Sequence, residues 1–235
     1  MLSKGALAAP SILPQISLTM GGNAGGAEVA TAVKLFLFVT ILSIGPALLL
    51  TMTSFTRIII VFSFLRQAMG VAQAPPNQIL IGLSLFLTFF LMSPVFKEVN
   101  EQAVKPYLDE KIDTQIAFDN ASMIIKKFMF AQTRKNDLQL LLQISKTATP
   151  NDINDIPLQV MVPSFLLSEL KTAFEIGFLI YLPFVLIDIV VSIILLTMGM
   201  MVLPPVVISM PFKLMLFVLV DGWNLVVGTL IGSFR

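Results

Sequence analysis

Apolar and charged positions in this chain are sorted into blocks the length of whole helices. No charge falls within residues 35–56 or 67–96, Asp188 is the sole charge within 176–212, and Asp221 is the sole charge within 214–234. A helix needs about 20 apolar residues to cross the hydrocarbon core. The pattern therefore predicts two pairs of hydrophobic helices, one over 35–96 and one over 176–235, as four hairpin arms. Ala74-Pro75-Pro76-Asn77 holds back the second helix to about Ile79, because paired prolines cannot sit inside a helix. Pro46, Pro94 and Pro183 interrupt apolar runs and are expected to bend or break the helices there.

Between the two pairs lies a polar middle, residues 97–175, where acids outnumber bases eleven to nine. Ile116, Met123, Ile124 and Phe128 recur at roughly helical spacing, as do Leu138, Leu141, Leu142 and Ser145. The Asn/Asp/Pro-rich stretch 147–157 reads as a loop, and no segment alternates as a strand would. The fold class expected is all-α, with integral membrane hairpins around a small helical subdomain. Residues 1–34 form a lead-in with a glycine-rich stretch at 20–29. Lys4 and Ala6-Leu7-Ala8 are in keeping with a signal-peptide remnant. The apolar stretch between them is missing, so a processed start and an ordinary lead-in both stay open. Arg57 and Arg66, read as charges of the loop joining the first two arms, place that loop in the cytoplasm by the positive-inside rule. The polar middle would then be periplasmic.

Composition sharpens this picture. Hydrophobic residues make up 56% and charged residues 12% of the chain, against about 25% charged in ordinary soluble domains. Lipid or subunit contacts must cover so much apolar surface. A net charge of +1 without a basic patch argues against a nucleic-acid partner. With neither Cys nor His, the commonest nucleophile, general base and soft metal ligands are missing together. No phosphate-binding, dinucleotide, zinc-hydrolase or serine-hydrolase motif occurs. The expectation is a protein that is not an enzyme and carries no cofactor or metal.

What remains is charge at membrane depth and one unusual turn. Asp188, Asp221 and Lys213 interrupt apolar runs, and such groups usually pair or face water. A proton relay would need a chain of titratable groups, so the residues favour structural ion pairs in which Asp188, Asp221 or Glu169 meets Lys213 across a subunit boundary, Glu169 being the partner put forward first. Asp221, before Gly222 and Trp223, also reads as a helix end. Thr197-Met198-Gly199-Met200-Met201-Val202-Leu203-Pro204-Pro205 joins the last two arms. Either it is a tight apolar turn, or its adaptable methionines close around a passing chain; spacing alone favours the turn. Gly228 and Gly232 form a GxxxG pair, and Gly82, Ser84 and Gly177 are further small residues that let helices approach.

Three blocks carry a family resemblance. Thr53-Ser-Phe-Thr-Arg-Ile-Ile-Ile-Val-Phe62 leads through Ala74-Pro-Pro-Asn-Gln78 to Phe86-Leu-Thr-Phe-Phe-Leu-Met-Ser-Pro94. Ser168-Glu-Leu-Lys-Thr-Ala-Phe-Glu-Ile-Gly177 is followed by Pro183-Phe184 and Asp188. Gly199-Met-Met-Val-Leu-Pro-Pro205 precedes Pro211-Phe-Lys-Leu-Met-Leu-Phe-Val-Leu-Val-Asp-Gly-Trp223. Over residues 35–232 these resemble the signatures of the FliP family of type III secretion export gates, whose injectisome relatives share the architecture. The resemblance implies a homopentamer joined to FliQ, FliR and FlhB-type subunits in a cone-like pore of the flagellar basal body, in the bacterial inner membrane. Unfolded flagellar proteins would be its substrates. It implies that Met198, Gly199, Met200, Met201 and Val202 constrict the pore, Val202 standing where the family often has a third Met. It also implies that much apolar surface is buried between subunits, not in lipid. An ion-coupled secondary transporter with Asp188 and Asp221 at midplane, or a structural scaffold, are the competing readings.

Overall fold

The computed structural model describes residues 26–71, 74–146, 150, 152–200 and 202–234. Among them every regular element is helical. They divide into two compact units, one up to Ile44 and one from Gly45 onward. The first consists of most of α1 (Gly26–Thr51), an apolar helix in whose membrane-length stretch Thr31–Leu48 no described residue is buried. It begins inside the stretch expected to be a glycine-rich lead-in; the remainder of that lead-in, with Lys4 and Ala6-Leu7-Ala8, lies outside the described residues.

The second unit is organised around α2 (Phe55–Ala68), which the sequence reading mistook for a loop. Ile58, Val61, Phe62, Leu65 and Ala68 recur at three- and four-residue spacing, and all are fully buried. They pack against α7 (Leu158–Thr197) and α3 (Asn77–Val99). The resulting core takes in Leu80, Ala173, Ile176 and Phe184, with Phe217 of α8 (Pro205–Leu219) and Val226 and Leu230 of α9 (Gly222–Gly232). The helix after the paired prolines starts at Asn77, where the sequence placed it within two residues.

After α3 the chain passes through a π-helical turn, Asn100–Val104, into the short α4 (Lys105–Leu108). The two amphipathic runs of the polar middle become α5 (Thr114–Gln132) and α6 (Lys135–Ile144). Ile124 and Leu142 point inward, but Ile116 and Met123 are about half exposed. A single 3₁₀ turn, Ile153–Asp155, lies in the predicted loop and carries a capping box on Asp152. Met129, Leu142, Ile156, Val160, Met161 and Phe165 form a second core beneath these elements.

α7 is one helix of 40 residues, so the division at 175/176 between polar middle and second arm falls inside it. At 1.5 Å per residue it is roughly 60 Å long, about twice the hydrocarbon thickness. Its N-terminal half completes the polar subdomain and its C-terminal half forms an apolar arm. Prolines do not break these elements either: Pro46, Pro94 and Pro183 each sit within a continuous helix. In apolar surroundings a helix is the main way to satisfy the remaining backbone groups, which offsets the bond that each proline removes. The sharp break comes instead between α8 and α9, bent by 66°.

Candidate functional site

α2 and α7 are fastened by charge. Arg57 is 2% exposed and Glu169 0%. The guanidinium meets the carboxylate with both Nε and Nη2, Nε lying 2.8 Å from Oε2. This planar fork matches a carboxylate bidentately, which a lysine cannot do. Arg57 Nη1 also donates to the Ser233 carbonyl and hydroxyl at 2.9 Å each, and Nη2 to Gln132 Oε1 at 3.3 Å. The guanidinium lies 3.7 Å from the centroid of the Phe234 ring. One side chain thus ties together α2, the end of α5, α7 and the residues after α9.

Within the chain Glu169 and Lys213 do not meet, and Lys213 takes the other expected acid, Asp188. Each has an opposite charge within its own chain. Lys213, 2% exposed, donates to Asp188 Oδ2 at 2.7 Å, and Ser209 Oγ donates to Asp188 Oδ1. Ser209 and Lys213 are four apart on α8 and so share a face; both reach across the hairpin to Asp188 on α7. Asp221 joins no such pair. It is exposed, accepts from Asn224 Nδ2 at 3.2 Å, and adopts left-handed backbone (φ 51°) immediately before α9. Behind it, a Cβ on Gly222 would lie 2.2 Å from the Phe217 ring. Trp223 packs edge-on against Phe217 and Phe62. The Asp-Gly-Trp sequence makes the bend: left-handed backbone, no side chain, then an aromatic anchor.

The second signature block is a junction as well. Ser168 accepts from the Arg134 backbone N–H at 3.0 Å and donates to Asp137 Oδ2 at 2.7 Å. Arg134 forks onto Glu175, and that hydrogen bonding raises its pKa above the ordinary value. Gly177 faces Phe64, whose ring would stand 2.6 Å from an added Cβ. The close approach read into Gly177 is present here, whereas a Cβ on Gly82, Gly228 or Gly232 would touch nothing in the chain. Sequence reasoning missed Arg57, Arg134 and Ser209 as bracing residues. Arg57 carried a usable signal, a lone charge directly before the apolar run Ile58-Ile59-Ile60-Val61; the others carried none.

The methionine turn closes α7 by a defined device. The Gly199 N–H bonds to Leu196 O at 3.1 Å and the Met200 N–H to Leu195 O at 2.9 Å, with Gly199 at φ +74°. This pair of bonds is the Schellman motif, which needs a residue tolerant of left-handed backbone at that point. Pro204 and Pro205 start α8 on the other side, Pro205 in the first turn where a missing N–H costs nothing. Between them Met198 is 67% and Val202 95% exposed, and Met200 is partly exposed. Met201 lies outside the described residues. Below the turn, Val190, Ile194, Met198, Met200, Ile208 and Phe212 help line a wholly apolar cavity of about 600 Å³ between α7 and α8.

Buried ion pairs, apolar helices long enough to span a bilayer and a broken terminal pair define an all-helical membrane protein built from hairpins. Residues 38–230 match the model of the FliP family. The chain is 53% identical over 207 residues to the flagellar biosynthetic protein FliP of Bacillus subtilis, covering 88% of this chain and 94% of that one. It is 47% identical over 228 residues to the FliP of Aquifex aeolicus, 96% of this chain and 93% of the relative. With that of Pectobacterium carotovorum it shares 46% over 228 residues, 96% and 88% respectively. The chain belongs to the FliP family.

Proposed function

We propose that this protein acts in flagellar biosynthesis as a core subunit of the type III export gate, lining the channel through which unfolded flagellar proteins leave the cell. Its role is passage and closure, not bond chemistry. Five copies would surround the channel with FliQ, FliR and FlhB-type subunits in the inner membrane, the polar middle facing the periplasm. The relatives' shared name supports the flagellar setting. The observation that carries the gate is the turn after α7: apolar side chains projecting from a segment clamped by a Schellman motif and paired prolines. Where such turns converge on an axis, adaptable apolar groups exclude water and block ions by dewetting. Val202 in place of a methionine keeps the apolar bulk. Of the two acids an ion-coupled transporter would use, Asp188 is held by Lys213 and Ser209 and Asp221 serves the bend before α9, which lends that reading no support.

The test is passive ion and small-solute leak through membranes carrying the assembled complex. Met200→Ala/Val202→Ala should raise leak while assembly, followed by native gel or mass spectrometry, stays intact. Unchanged leak in a verified complex would return the turn to ordinary packing.

A further inference from the structure

The π-helical turn Asn100–Val104 between α3 and the polar middle has an identifiable cause in the sequence. Its backbone bond runs from the Lys105 N–H to the carbonyl of Asn100, five residues back. Pro106 follows at once. In a regular α-helix its N–H would serve the carbonyl of Gln102, but proline has none, and its ring would press on that carbonyl. The displaced Gln102 carbonyl accepts instead from the Asn120 side chain of α5, at 3.0 Å. Ala103, 2% exposed, lets the widened turn sit close against its neighbours. Runs of π-helix are rare and mark places where one extra residue has been admitted to a helix.

We propose that this turn is a register-setting device: Pro106 and Asn120 together hold the chain in the π setting, and replacing both lets α3 continue in α register. A single-residue change of register rotates everything downstream by about 100° and moves it about 1.5 Å along the axis. The turn therefore sets the rotation at which the apolar helix delivers the polar subdomain. Neither the gate turn nor the buried ion pairs take part.

The chain has no cysteine, so spin labels at Lys97→Cys and Glu110→Cys report on this turn alone. In the full protein, the distance between them should be one population, and Pro106→Ala/Asn120→Ala should add a second, displaced by roughly 5 Å or more given that rotation. A parent-like single distance in the double variant overturns the proposal. Should that variant fail to fold, a chain lacking Glu101 and carrying Pro106→Ala decides. Removing the extra residue should give continuous α-helix and keep the parent distance; loss of fold or a changed distance there overturns the proposal as well.

Discussion

Arg57 has to be weighed as a charge out of water. Its partners are a carboxylate, a carbonyl, a hydroxyl, an amide and an aromatic face, enough to satisfy most of its donors. Desolvating both ions offsets much of their attraction, so the pair is a modest net stabiliser. Removing one partner is different, because the other is stranded. Arg57→Ala or Glu169→Ala should each destabilise the protein by about 3–5 kcal/mol, read as a fall in thermal midpoint in detergent. An Arg57→Met/Glu169→Leu double variant should recover most of that loss. If both single variants melt like the parent, the clamp contributes nothing. Arg57→Lys is expected to behave as a partial loss, since an ammonium cannot reproduce the two-pronged contact.

At the scale of elements, the bend between α8 and α9 rests on one residue's backbone. Left-handed conformation costs an ordinary L-residue about 1–2 kcal/mol, little for Gly and less for Asn or Asp than for branched side chains. Asp221→Gly should leave stability near the parent's, and Asp221→Val should lose about 1–2 kcal/mol in the same melts. If Asp221→Gly proves as damaging as loss of Glu169, the carboxylate has an ionic role that the backbone account omits. Element identity was legible wherever periodicity or paired prolines announced it, as at α3, α5 and α6. α2 was not, because two arginines nine positions apart were taken for loop charges. The burial of Arg57 depends on Glu169, 112 residues away, and the partly exposed Arg66 donates to Asn77. No spacing rule reveals such partners. Arg57 is a core residue and not a loop charge, so it does not mark a cytoplasmic loop.

Over the whole molecule, polar contacts concentrate where α2, α5, α6 and the first half of α7 meet, while the second half of α7 and α8 present Phe178, Leu186, Ile193, Phe212 and Val218 to the outside. Faces this apolar need covering by lipid or by other subunits. The two covers separate in a labelling experiment on a chain that has no cysteine of its own. Single cysteines at Phe178, Leu186 and Ile193 should react with a lipid-soluble maleimide in the isolated protein and become protected in the assembled complex. Equal reactivity in both would assign the face to lipid. Block-wise charge already disclosed the membrane helices and the bracketed turn. Asp188 is one of the acids the sequence offers Lys213, but spacing does not choose among them; the hairpin between α7 and α8 does, bringing Asp188 to Lys213 and leaving Glu169 to α2.

The Arg57 clamp also imposes a timetable on biogenesis. Residue 57 is synthesised long before residue 169, and at about 5–20 residues per second its carboxylate partner follows on the order of ten seconds later. During that interval the arginine has no carboxylate to pair with, and an unpaired charge favours water over an apolar core. Burial of Arg57 against its carboxylate therefore follows the synthesis of α7, and Ser233 and Phe234 reach the guanidinium last of all. A chain halted between those points holds its first hydrophobic helices without the contact that joins them to the second pair, and the order of translation becomes the order of closure.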